Sequence, residues 1–119
     1  MKIKNILAFN LLLVLASSCY YDNIETLYPY ADANCDTVNV TFTPVASNII
    51  YQSCATTGCH VSGTGRVPLT NYQEVKVVVD NGLFAHRTFE AQDMPPQGPL
   101  SSCDIKKLKA WIDNGALND

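Results

Sequence analysis

Apolar residues are distributed unevenly along this chain, and each stretch predicts a different element. Lys2 and Lys4 precede an apolar run from Ile6 to Ala16, broken only by Asn10. A basic start, an apolar run and the small residues Ala16, Ser17 and Ser18 have the layout of a secretory signal, and about 11 residues fall short of the roughly 20 needed to span a bilayer. Val38, Val40 and Phe42 alternate with Asn39 and Thr41, which predicts a short extended segment. Thr43-Pro44 reads as an N-cap followed by proline at the first helical position, so a first helix is predicted over 44–53, with Val45, Ile49 and Ile50 near one face. Gly58, Gly63, Gly65 and Pro68 make 54–68 a loop. Thr70 with Gln73 resembles a capping box and starts a second helix near Asn71, which Asn81-Gly82 stops. The run Val75, Val77, Val78, Val79 has strand propensity and competes with that reading. A short third helix is predicted over 83–89. The prolines at 95, 96 and 99 keep the following stretch out of helix. Ser101 caps the last helix with Asp104 at its third position and Leu100 stapled onto Ile105. Ile105, Leu108, Trp111 and Ile112 form its apolar stripe, Lys106, Lys107 and Lys109 face water, and Gly115 ends it. There is no internal repeat.

Composition changes this picture in two ways. The chain has 119 residues, 47% of them hydrophobic, which suits one small domain and argues against disorder. With Lys2 and Lys4 removed with the leader, six basic residues face 11 acidic ones, a net charge of −5. Nucleic acid is thereby excluded as a partner, since its binding needs a basic face. The second change is the cysteine count, which is 5 and cannot be all disulfides. Leu15-Ala16-Ser17-Ser18-Cys19 resembles a bacterial lipoprotein lipobox, with the large aliphatic residue one place further upstream than usual. That resemblance implies a lipoprotein signal peptide over 1–18, a lipid on Cys19, and a Tyr-, Asp-, Asn- and Pro-rich tether over 19–37. Acyl chains would hold the protein on a membrane, and an exported domain meets an oxidising compartment. Cleavage near Ser18 with Cys19 left as a thiol or disulfide partner is the alternative.

The candidate chemistry lies in Cys54-Ala-Thr-Thr-Gly-Cys59-His60. Two cysteines followed directly by histidine resemble the haem-attachment signature of c-type cytochromes, in which two thiols add to the two vinyl groups and the imidazole reaches the iron. Here four residues, not two, separate the thiols. On a regular helix such thiols lie about 140° apart around the axis, so the segment has to bulge, and Gly58 supplies the freedom. A Cys54–Cys59 disulfide, a structural zinc site and a thiol nucleophile are the competing readings, although the chain has no partner set for zinc and no orienting third group for a nucleophile.

The order of the weaker motifs extends the resemblance over 38–119 to small single-haem c-type cytochromes of the membrane-anchored lipoprotein kind. An apolar helix enters Cys54–His60, a glycine-rich loop ends in Pro68-Leu69, and Asp93-Met94-Pro95-Pro96 precedes a final helix ending Trp111-Ile112-Asp113-Asn114-Gly115. The resemblance implies an all-α, class-I-like fold around one covalent haem, with thioethers at Cys54 and Cys59. His60 would be the proximal iron ligand, Met94 the distal ligand, and the Pro68 carbonyl the acceptor for the outer nitrogen of His60. If the usual register held strictly, Thr56 would take the first thiol's place and Cys59 alone would be attached. Met94 also stands on its own chemistry, because a neutral thioether favours reduced iron and the prolines behind it stiffen its loop. His86 is the rival sixth ligand, and Met94 as plain core filler is the bland alternative. Arg66 and Arg87 are candidates for the propionates or simply solvated charges. Tyr51 and Tyr72 are candidate pocket residues, and Trp111 is read as an apolar anchor. In cytochrome-like packing the terminal helices meet, which implies a Cys35–Cys103 disulfide.

The function so implied is electron transfer to redox protein partners, not turnover of a substrate. The protein would sit as a lipoprotein on a membrane, taken as the outer membrane, facing the periplasm or cell surface. Its negative charge would suit a partner with a positive docking patch. A haem sensor or peroxidase-like protein and a haem-free, disulfide-stabilised lipoprotein binding module are the other classes.

Overall fold

The computed structural model describes residues 35–119. The predicted signal peptide, Cys19 and nearly all of the tether lie outside the described residues. Among the described residues all regular structure is helical, with no strand. No helix there is long and apolar enough to cross a membrane.

The predicted extended segment does not form. Asp36 Oδ1 accepts from the Val38 N–H at 2.8 Å, and Asn39 takes a left-handed φ of 56°. The chain therefore turns, leaving Val38 72% exposed while Val40 and Phe42 are buried. Phe42–Ala46 makes a wide turn in which the Ala46 N–H reaches the Thr41 carbonyl, five residues back, and it runs directly into α1, Ser47–Ser53. Thr43 does not cap this entry: the N-cap position falls on Thr41, which makes no side-chain cap, and Thr43 lies within the turn with an extended backbone. Asp119 does so instead: its Oδ1 accepts from Phe42 N–H at 2.7 Å and its backbone carbonyl from Thr43 N–H at 2.9 Å.

The second helix, α2, spans Tyr72–Asp80. Its capping frame lies one residue later than predicted. The Asn71 side chain accepts from the Glu74 N–H, and the Glu74 carboxylate accepts from both the N–H and the hydroxyl of Thr70. The valine run is helical: Val75 and Val78 are buried, Val77 faces water, and Lys76 pairs with Asp80 one turn on. Gly82, at φ 78°, ends the helix as expected. The third helix, α3, covers Leu83–Ala85 and continues as a wide turn over His86–Glu90. The last helix, α4, spans Ser102–Asp113, with Ser101 Oγ accepting from the Asp104 N–H at 3.1 Å.

Phe42 sits at the meeting point of these elements. Its ring lies 5.1 Å from Tyr72, 5.5 Å from Trp111 and 6.4 Å from Tyr51 between centroids. Trp111 is 1% exposed and donates its indole N–H to the Leu117 carbonyl at 2.9 Å. Tyr72 donates to the Ala116 carbonyl at 2.9 Å. Trp111 is thus a core residue, and Tyr51 and Tyr72 are half-buried against the core and not in the wall of a cavity that His60 lines. A disulfide joins Cys35 to Cys103, the first described residue to the start of α4, with 5.5 Å between Cα atoms.

Candidate functional site

The helix α1 ends where the cysteine motif begins. Cys54 is its C-terminal cap, donating its N–H to the Ile50 carbonyl at 2.8 Å. From there the chain loops and closes on itself. The Cys59 N–H reaches the Thr56 carbonyl, and the His60 N–H returns to the Cys54 carbonyl at 3.1 Å. Gly58, at φ 80°, makes the sharp step that four intervening residues require. Two contacts brace the loop from outside: Thr64 Oγ1 donates to the Cys59 carbonyl, and an Arg66 guanidinium N–H donates to the Gly58 carbonyl, each at 2.7 Å.

The imidazole of His60 is held by the segment that follows. Its Nδ1 lies 2.7 Å from the Val67 carbonyl. A carbonyl only accepts, so Nδ1 carries a proton, and in the neutral ring Nε2 keeps its lone pair. Pro68, the predicted acceptor, is displaced from that role by one residue. The Leu69 N–H pairs with the His60 carbonyl at 2.9 Å, which runs 67–69 alongside His60 and turns the Val67 carbonyl toward the ring.

His60 opens onto a cleft of about 410 Å³, within the range of roughly 300–1,000 Å³ usual for small-molecule sites. Cys54 and Met94 line the same cleft. Its walls are largely apolar, with Leu69 from the loop, Val78 from α2 and Phe84 from α3. Val67 and Leu83 also line it and stay 47% and 46% exposed, so its mouth has an apolar rim. Arg66 and Arg87 supply positive charge there.

Three of the predicted site residues, Cys54, His60 and Met94, are therefore brought to one cavity. Cys59 is half-buried beside it and, like Pro68, is not part of its wall. His86 is not in the cavity: its side chain is 61% exposed and pairs with Glu90 at 2.9 Å. The cavity role of Thr88 and the partner of Arg87, Asp93, had no sequence signal, because a step of six residues fits no helical face and the segment between them has no strand pattern.

Both thiols are free, so the structure holds no Cys54–Cys59 disulfide. Burial pushes the Cys54 thiol up to about 11, and charge on Cys59 adds to the rise. Among the described residues, no group of three or more His, Cys, Asp or Glu side chains converges as a metal site. The cleft itself offers the His60 imidazole, the Met94 thioether and the Cys54 thiol. Compared with protein-family models, with curated proteins and with solved structures, the chain finds no match.

Proposed function

We propose that this protein is an electron carrier with one covalently attached c-type haem, held to a membrane as a lipoprotein. The observation that carries the reading is the convergence of Cys54, His60 and Met94 on one apolar cleft, with the His60 tautomer already fixed by Val67. The donor set fits the group. His60 Nε2 is free to ligate, Met94 offers a soft neutral sulfur, and Cys54 and Cys59 are unbridged thiols within one short loop. Haem, when bound, supplies a one-electron iron couple. The chain's part is to anchor, orient and insulate it.

His60 and Met94 would both be engaged in holding the iron, leaving no protein-free position for a substrate, which favours electron transfer over catalysis. Cys54 and Cys59 would anchor the group by adding S–H across vinyl C=C bonds, a step that consumes no oxidant. Leu69, Val78 and Phe84 would keep water from the buried part, while the exposed Val67 and Leu83 rim would face a redox partner. The basic, apolar and small-residue run ending in Cys19 supports the lipid anchor and an exported location facing the periplasm or cell surface.

Expression of the chain with a haem-attachment system, followed by a reduced spectrum after denaturation in pyridine, tests this directly. The expected result is haem that stays with the polypeptide, with a band position reporting two thioethers; the absence of covalent haem would reject the reading. Fatty-acid labelling tests the anchor, with label expected on the wild type and none on Cys19→Ser.

A further inference from the structure

The two residues at the cleft end of the loop, Asp93 and Met94, are held by one residue. The N–H groups of Asp93 and Met94 both reach the Arg87 carbonyl, at 3.2 and 3.3 Å. The Arg87 side chain closes the same junction from the other side, its Nε donating to Asp93 Oδ1 at 2.7 Å. Gln92, at φ 50°, turns the chain back to make this possible. Arg87 stands on the wide turn after α3, next to the buried Thr88, and its side chain lines the cleft that Met94 also lines. The prolines at 95 and 96 stiffen the far side of the loop, but nothing in them sets the near side.

We propose that Arg87 is the positioning residue for Met94, acting through Asp93 to keep the thioether sulfur at the cleft. The proposal rests on the reading of Met94 as distal ligand. Arg87 and Asp93 are 42% and 48% exposed, so the pair is a partly solvated clamp of modest strength. What it governs is the fraction of time the loop is closed. A sixth position that opens more often admits an external ligand with proportionately higher apparent affinity.

The test uses the full chain with haem attached and added imidazole as the competing ligand. Arg87→Gln and Asp93→Asn are each expected to raise the apparent affinity for imidazole about fivefold. The double variant should also rise about fivefold and not twenty-fivefold, because both substitutions open one clamp. Hydrogen exchange at the Met94 amide should accelerate in all three. Ser101→Ala, which removes the cap of α4, a helix that contributes no residue to the cleft wall, should leave imidazole binding unchanged and so separates positioning from general loosening. Imidazole affinity and Met94 exchange unchanged in Arg87→Gln would overturn the clamp. So would effects of the two substitutions that multiply independently. If Met94→Ala binds imidazole no better than the wild type, the distal-ligand reading itself fails and the clamp falls with it. If Met94→Ala binds far better while Arg87→Gln does not, only the clamp is wrong.

Discussion

Cys54 and Cys59 bear the same functional group in unlike surroundings, and their reactivity should differ accordingly. Cys54 closes α1 in a buried position on the cleft wall, and its thiol is raised from the ordinary 9.0 to about 11. At pH 8 a thiol at about 11 is roughly one-thousandth thiolate, and the thiolate is the nucleophile. Cys59 lies half-buried in the loop. In the haem-free chain, iodoacetamide should therefore label Cys59 well ahead of Cys54, read by peptide mapping; equal rates would show that Cys54 is not shielded as described. The same shift has a stability consequence. The folded state holds the Cys54 proton more tightly than the unfolded one. Its contribution is therefore fully present below 9.0 and lost as pH rises through about 11. In the haem-free chain Cys54→Ala should flatten the alkaline fall in the urea midpoint over that window.

Among the elements, the caps show what local sequence can and cannot decide. Ser101 with Asp104 was legible because only one frame of capping residues precedes the last helix, and the structure uses it. Thr70-Asn71 offers two frames, and the frame used has Asn71 as cap with Glu74 three residues on. Glu74 is held below the ordinary carboxylate range, chiefly by the Thr70 N–H and then by its hydroxyl. The contribution of this carboxylate is present above its unfolded value and is lost as pH falls through the depressed one. Asn71→Ala should cost about 1 kcal/mol in the urea-unfolding free energy. Glu74→Gln should therefore lower stability at neutral pH, flatten its fall toward acid, and match the wild type once Glu74 is protonated. The entry to α1 was not legible, because its N–H groups are taken by Asp119, far along the chain. The alternation of Val38, Val40 and Phe42 misled because period two records which residues are buried, not how the chain gets there. Asn39 turns the chain while Val40 and Phe42 still reach the core. The choice of the Val67 carbonyl over that of Pro68 likewise depends on the course of a glycine-rich loop, which side-chain pattern does not encode. The meeting of Cys54, His60 and Met94 at one cleft carries no local signal, since no helical or strand period joins segments 40 positions apart through a glycine- and proline-rich chain.

At the scale of the whole molecule, the described residues have a solid side and an open side. Phe42, Tyr51, Tyr72 and Trp111 fill the first, and the second is the cleft between α2, α3 and the 60–69 loop. Every element lining the cleft lies between residues 35 and 103, inside the loop that the disulfide closes. The polar bonds from Phe42, Thr43, Tyr72 and Trp111 to residues 116–119 hold the segment after α4 onto the same solid side. The disulfide and these bonds act on different states. The bonds stabilise the folded chain, whereas a disulfide spanning 68 residues acts mainly by restricting the unfolded one. Replacing Cys35 and Cys103 together by serine should therefore lower the urea-unfolding free energy by roughly 2–4 kcal/mol. The substitution should also expose a more expanded unfolded chain, seen as a steeper dependence on urea. Asp119→Asn keeps an acceptor for the Phe42 N–H and should lower the midpoint far less with an unchanged slope. Equal unfolding free energies for the serine variant and the wild type would mean that the contacts of Phe42 and Asp119 close the fold without help from the disulfide.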